Sequence, residues 1–298
     1  VITSSLSERK SKNFWDFISG FYVRRIKRLV PALIFFVLIT SFLVCFFSFS
    51  PGKSLWTGLT SLIGLSNLYL LHTSTNYFSQ GSKMNVFNHT WSLGVEEQFY
   101  FLFPLIIWFT GFGRQTSKGA RNLFVFVLFL VICSLISYVY LYSINQPAAY
   151  FLMPTRVWEM ATGCLLFLSL QRRGVIVERL ERTSPSVVLV FIIGVMFLPT
   201  YAVEISTILI VVLSALLISC LKEGKSLFKF FTNKNITYVG LLSYSLYLWH
   251  WGILSISRWT IGIYWWTIPF QIVLISLCAL FSYKCIETPL RKKDWSLK

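Results

Sequence analysis

Long apolar runs recur along the whole chain, and the charged residues are crowded into the short stretches between them. Eight runs are each close to the length of about 20 residues that a helix needs to cross a bilayer. They cover roughly 30–49, 92–110, 123–144, 155–170, 187–203, 205–221, 237–257 and 264–283. The 298 residues are 55% hydrophobic and only 13% charged, about half the charge of an ordinary soluble domain. A water-facing surface cannot be built from this composition. The predicted fold class is all-α: a polytopic transmembrane helix bundle of about eight spans, forming one membrane domain over 1–298 with no soluble domain.

A ninth run, 55–72, carries Thr57, Gly58, Thr60, Ser61, Gly64, Ser66 and Asn67. These make it too polar for a lipid-facing span. Membrane loops on the cytoplasmic side are enriched in Lys and Arg, and this rule decides its role. If 55–72 does not cross, all but four of the 27 Lys and Arg fall on one side. If it crosses, most of that asymmetry disappears. The expectation is a re-entrant or interfacial segment, with both chain ends cytoplasmic. Backbone of this kind at membrane depth must be shielded by protein or line a wet cavity.

The net charge is +16. With the cations in short loops beside apolar runs, it points to lipid headgroups and orientation, not to nucleic acid. Six cysteines lie in or at the ends of apolar runs with no CxxC pair, so they read as small buried hydrophobes. Three histidines give a metal site little to build from, and no metal is expected.

Ionisable groups inside spans are costly and usually face a cavity, a partner or a pathway. Four places stand out. In Phe21-Tyr22-Val23-Arg24-Arg25-Ile26-Lys27-Arg28 the cations serve either as a positive-inside anchor or as a phosphate clamp. Arg25 and Arg28, at i and i+3, share one helix face, with Arg24 beside them. In His89-Thr90-Trp91-Ser92-Leu93-Gly94-Val95-Glu96-Glu97, two adjacent carboxylates point about 100° apart on a helix. One can face a cavity as acid or base while the other pairs elsewhere. A capping role for Ser92 with an acid in the first turns is the alternative. Arg156 and Glu159, also at i and i+3, either neutralise each other or contact substrate. Ser243, Tyr247 and His250 form one hydrogen-bonding stripe on a helix, read either as an acceptor pocket or as a buried neutral His with its partner.

These segments, with Pro154-Thr155-Arg156-Val157-Trp158-Glu159, Ser243 to Trp251 and Glu287-Thr288-Pro289-Leu290-Arg291, resemble in order the membrane acyltransferase-3 family. The similarity is to its bacterial branch that O-acetylates surface polysaccharide, lipopolysaccharide or peptidoglycan. The resemblance implies that a cytoplasmic acyl-coenzyme A, usually acetyl-CoA, supplies an acyl group to a hydroxyl of an extracytoplasmic glycan. The setting is the bacterial cytoplasmic membrane. It places Arg25 and Arg28 on the donor side. Glu96, Glu97, His250 and His89 are then the acid–base candidates. Trp91, Arg156, Glu159, Ser243 and Tyr247 are the substrate contacts.

Two departures bear on this reading. The family carries a central histidine on a preceding helix with no counterpart here. Val1-Ile2-Thr3 reads as the tail of an apolar segment. The expectation is a domain lacking its first one or two helices, inactive by itself. Gly252 stands where the branch often has proline. The competing reading is a transporter or flippase for a lipid-linked glycan or polar solute, with the intramembrane His and Glu as a proton relay.

Overall fold

The computed structural model describes residues 2–7, 13–48, 50–73, 84–172, 180 and 183–293. Val1, Phe49 and residues 8–12, 74–83, 173–179, 181–182 and 294–298, which include part of the Lys and Arg counted above, lie outside them. Among the described residues every regular element is helical. In chain order these are α1 (Ile2–Ser7), α2 (Phe14–Phe47), α3 (Gly52–Leu62), α4 (Ser66–Thr73), α5 (Thr90–Phe109), α6 (Gly119–Ile144) and α7 (Gln146–Phe151). Then follow α8 (Val157–Arg172), α9 (Pro185–Val195), a 3-10 turn (Thr200–Ala202), α10 (Val203–Cys220), α11 (Ser226–Phe231), α12 (Lys234–Trp259) and α13 (Ile268–Phe281). A π turn (Ser282–Glu287) leads into α14 (Thr288–Lys292). Four helical stretches are long and apolar enough to cross a membrane: Phe14–Phe47, Gly119–Ile144, Val203–Cys220 and Ile268–Lys292. Shorter apolar helices accompany them. This is a multi-pass, all-α membrane bundle.

The helices depart from the apolar runs in two places. The run 187–203 is not one helix: α9 stops at Val195. Pro199 lies inside the run, and proline disfavours helical backbone in the residue before it. At 11 residues, α9 is about 16 Å long, short of the ~30 Å hydrocarbon core. At the other extreme, α2 begins at Phe14, well before residue 30. Its first turns bury Phe17, Ile18 and Phe21, a helical spacing of apolar residues. The cations Arg24, Arg25, Lys27 and Arg28 follow directly, so average hydropathy hides this first part of the helix. Its 34 residues give about 51 Å.

The chain divides into two compact units. One comprises 1–14 and 103–237. Its core packs buried Tyr138, Ala149 and Trp158 with Leu135, Ile208 and Val211. The turn before α8 is held by Ser134, whose hydroxyl donates to the Pro154 carbonyl (2.6 Å) and accepts from the Trp158 amide (3.1 Å).

The other unit comprises 15–102 and 238–298. Its core joins Leu33, Phe36 and Val37 of α2 to Val86, Phe87 and Leu93, and to Leu248, Trp249 and Ile253 of α12. Phe36 lies edge-on to Phe87, His89 and Trp249 at 5.4–5.7 Å. Each such edge-to-face pair adds about 0.5–1.5 kcal/mol beyond burial. Within this unit α2 and α5 run antiparallel: Tyr22 meets Phe101, Arg25 meets Tyr100, and Phe36 meets His89.

Candidate active site

The Arg cluster lies on α2. Arg24 and Arg28 are exposed and Arg25 is half-buried. Arg25 and Arg28 are close enough to feel each other's charge, as their i, i+3 spacing predicts. The Arg25 guanidinium carbon stands 4.3 Å from the centre of the Tyr100 ring and 5.6 Å from that of Phe21. The Tyr100 hydroxyl donates to Glu96 Oε2 at 3.2 Å. Nearby, Lys27 Nζ donates to the Lys293 carbonyl (2.9 Å). The Glu287 carboxylate, 1% exposed, accepts from Ser245 Oγ (3.3 Å) and faces Arg291 at 4.0 Å.

The run 55–72 is two short helices, α3 and α4, broken at Ile63–Leu65. The break turns on Gly64, whose φ of +70° is open to glycine at little steric cost. Polar groups of α5 close around it. Gln98 Nε2 donates to the Gly64 carbonyl (3.0 Å) and to Asn67 Oδ1 (2.8 Å), and Ser66 Oγ donates to the Thr90 carbonyl (2.8 Å). The Glu97 carboxylate lies against Gly64, where an added Cβ would stand 2.6 Å from Oε2. Glu96 and Glu97 therefore diverge as the helix period requires: Glu96 turns to Tyr100 and Arg25, Glu97 to the break.

The third group is a histidine cluster. His89 is buried, its ring 5.0 Å from Tyr247 and 5.5 Å from His250. The Tyr247 hydroxyl bonds Ser92 Oγ (2.6 Å) and donates to the His89 carbonyl. His250 Nδ1 lies 2.6 Å from the Tyr247 carbonyl. Trp251 Nε1 donates to the Asn85 carbonyl (2.9 Å), and Asn85 Nδ2 donates to Thr57 (2.8 Å). This ties α12 to the segment that carries His89. Asn88 Oδ1 is buried with no hydrogen-bond partner among the described residues, and the ring nitrogens of His89 are buried with at most a weak contact to the backbone of Leu248. Each such orphan costs about 1–3 kcal/mol, a cost that a bound hydroxyl compound or water would remove. Buried, unpartnered polar groups of this kind call for an explanation, and catalysis is one.

The structure gathers Arg25, Arg28, Glu96, Glu97, His89, Ser92, Tyr247 and His250 in one unit. Trp91 is buried in the same unit. Ser243 shares α12 with Tyr247 but is exposed; the buried serine of that stretch is Ser245. Arg156 and Glu159 belong to the other unit. They pair with each other at 2.9 Å, and Arg156 lies 5.1 Å from the Tyr150 ring centre. That is the geometry mutual neutralisation requires. Among the described residues, no three His, Cys, Asp or Glu side chains converge as a metal site requires.

Sequence reasoning gave no role to Tyr100, Asn85 or the Gln98–Asn67 pair. The signal for Tyr100 was present: Ser92, Glu96 and Tyr100 recur every four residues, on one helix face.

No solved structure matches the chain. Among curated relatives, an O-acetyltransferase OatA of Staphylococcus aureus is 28% identical over 92% of this chain and 48% of its own length. A peptidoglycan O-acetyltransferase OatA of Listeria monocytogenes is 25% identical over 99% of this chain and 50% of its own. The putative peptidoglycan O-acetyltransferase YrhL of Bacillus subtilis is 27% identical over 92% and 46%. The chain spans about half the length of these relatives. Residues 7–284 match the family described as "Acyltransferase domain", and the chain belongs to that family.

Proposed function

We propose that this chain is the membrane part of an O-acyltransferase of the bacterial cytoplasmic membrane. It moves an acyl group, acetyl, from cytoplasmic acyl-coenzyme A to a hydroxyl of a glycan on the far side, with both chain ends cytoplasmic. One observation carries the reading. Ser92, Glu96 and Tyr100 form a polar stripe along α5 that joins the arginine cluster at one end to the histidine cluster at the other. The distance from Ser92 to Tyr100 is about 12 Å along the helix axis. A polar stripe of this length suits a thioester held by its phosphates at one end and reacting at the other.

The donor chemistry fits the residues present. Guanidinium forks pair with phosphate oxygens bidentately, and Arg24, Arg25 and Arg28 supply three of them. At the other end the acceptor hydroxyl loses its proton to a basic group and forms the new ester bond. The thioester bond breaks, and the coenzyme A thiolate leaves and takes up a proton. His89, His250 and Glu97 are assigned the proton transfers. Trp91 and Tyr247 are assigned to the acceptor pocket, which the exposed Ser243 does not join, and Arg156 and Glu159 a structural part as a neutral pair. The names of the Listeria and Bacillus relatives favour peptidoglycan over lipopolysaccharide or exopolysaccharide as the acceptor.

The test uses the complete protein in proteoliposomes with labelled acetyl-CoA and peptidoglycan fragments. Ester formation that is lost in Arg25→Ala and Arg28→Ala, with expression retained, is the expected result. Uptake of a polar solute without ester formation would overturn the reading in favour of the transporter, for which a broken helix is also a familiar device.

A further inference from the structure

We infer that Glu96 and Tyr100 form a brace that positions Arg25 for the phosphates of the acyl donor, so that Glu96 serves the donor side and not proton transfer at the acceptor. The inference rests on the proposed donor assignment and goes beyond it.

Three observations carry it. First, Arg25 lies level with Tyr100, nine residues before the end of α5 at Phe109, which is about 14 Å along the axis. The cation is held beside the body of an apolar helix and not at its cytoplasmic tip. A cation in such surroundings needs a counter-charge, or it must reach the interface. Second, Glu96 supplies that charge through an oriented link. Glu96 and Tyr100 are one helical turn apart, the Tyr100 hydroxyl donates to Glu96 Oε2 at 3.2 Å, and the Tyr100 ring faces the guanidinium at 4.3 Å. Stacking on an aromatic face leaves the guanidinium N–H groups at its rim available for a ligand. Third, the brace is anchored by the backbone next to it. Tyr22, one turn before Arg25, donates to the Phe101 carbonyl at 2.7 Å, and its ring stacks on Phe101 at 6.3 Å and 29°. The register of α2 against α5 is thereby pinned at Arg25.

The consequence is preorganisation. A free arginine loses much rotamer freedom on binding phosphate, and a braced one loses less. The carboxylate cancels one charge of the cluster, while Arg24, Lys27 and Arg28 keep the site cationic.

The experiment compares Glu96→Gln, Tyr100→Leu and Tyr100→Phe with wild type in the purified complete protein in lipid nanodiscs. Binding of coenzyme A itself is measured by calorimetry, and acetyl transfer is followed over acetyl-CoA concentration and pH. In Glu96→Gln and Tyr100→Leu, the Kd for coenzyme A and the KM for acetyl-CoA are expected to rise about tenfold, the loss of roughly one oriented charged contact. The kcat at saturating donor and its pH profile stay as in wild type. Tyr100→Phe keeps the stacked ring and recovers part of the affinity, which a merely structural defect would not produce. Unchanged coenzyme A affinity in all three variants overturns the brace. So does a fall of kcat in Glu96→Gln with loss of one limb of the pH profile, which would return Glu96 to acid–base chemistry. Failure of the wild-type protein to bind coenzyme A would remove the donor assignment and the brace with it. Wild-type binding with indifferent variants removes the brace alone.

Discussion

Replacing Gly64 with alanine tests the geometry of the helix break and the position of Glu97 together. Gly64 has φ +70°. An L-residue in left-handed backbone costs about 1–2 kcal/mol. Against this, alanine reduces the freedom of the unfolded chain, worth about 0.4–1 kcal/mol in the other direction. The net destabilisation is therefore about 1 kcal/mol, or roughly a fivefold change in the folded-to-unfolded ratio. The larger effect falls on the site. The new Cβ would stand 2.6 Å from Glu97 Oε2 and 3.3 Å from Glu97 Cβ. Ordinary contact needs some 3.4 Å, so the carboxylate must move by nearly an ångström. A displacement of about 1 Å at a reacting group costs up to 100-fold in rate. Gly64→Ala should therefore fold, lose a few degrees of thermal midpoint in detergent, and lose most acetyl transfer at unchanged donor affinity. Midpoints are read by size-exclusion survival after heating, and transfer by label in the glycan. A variant with wild-type rate would refute the placement of Glu97 in the chemistry. A variant that cannot be recovered folded would show that the break carries more than the backbone term.

Three further outcomes follow from other contacts. Tyr247→Phe removes the hydroxyl shared by Ser92 and the His89 carbonyl; Ser92 N–H and Oγ still donate to that carbonyl at 3.3 and 3.5 Å, so the loss should be about 0.5–1.5 kcal/mol, that of an ordinary hydrogen bond, and an unchanged thermal midpoint would contradict the bond. Arg156→Ala strands Glu159, whose side chain is only 20% exposed, and should destabilise by about 3 kcal/mol, whereas Arg156→Met with Glu159→Leu should recover much of it. Gly163→Ala places a methyl where nothing lies within 4 Å, so helix propensity alone acts, and it should be neutral or stabilising by up to about 1 kcal/mol; a loss of stability would mean that the face of α8 around it is packed.

The bundle itself was legible because a bilayer imposes length and apolarity on whatever crosses it. The runs at 92–110, 123–144, 205–221 and 237–257 correspond closely to α5, α6, α10 and α12. Hydropathy fails where local backbone chemistry intervenes. Pro199 ends α9 early, and the cations at 24–28 of α2 hide the turns before them that bury Phe17, Ile18 and Phe21.

The divergence of Glu96 and Glu97 and the common face of Arg25 and Arg28 also follow from sequence, since both rest on the fixed period of one helix. The amino-acid order by itself determined the membrane class, the family and the residues that bear charge in apolar surroundings. Only the tertiary structure decided what each of those residues faces: Tyr100 between Arg25 and Glu96, Glu97 against Gly64, Tyr247 between Ser92 and His89, and Ser245 on the buried Glu287 carboxylate. Those partners lie on other helices or other turns, up to 158 residues apart along the chain. Helix periodicity says which side chains share a face, and only packing says what meets that face.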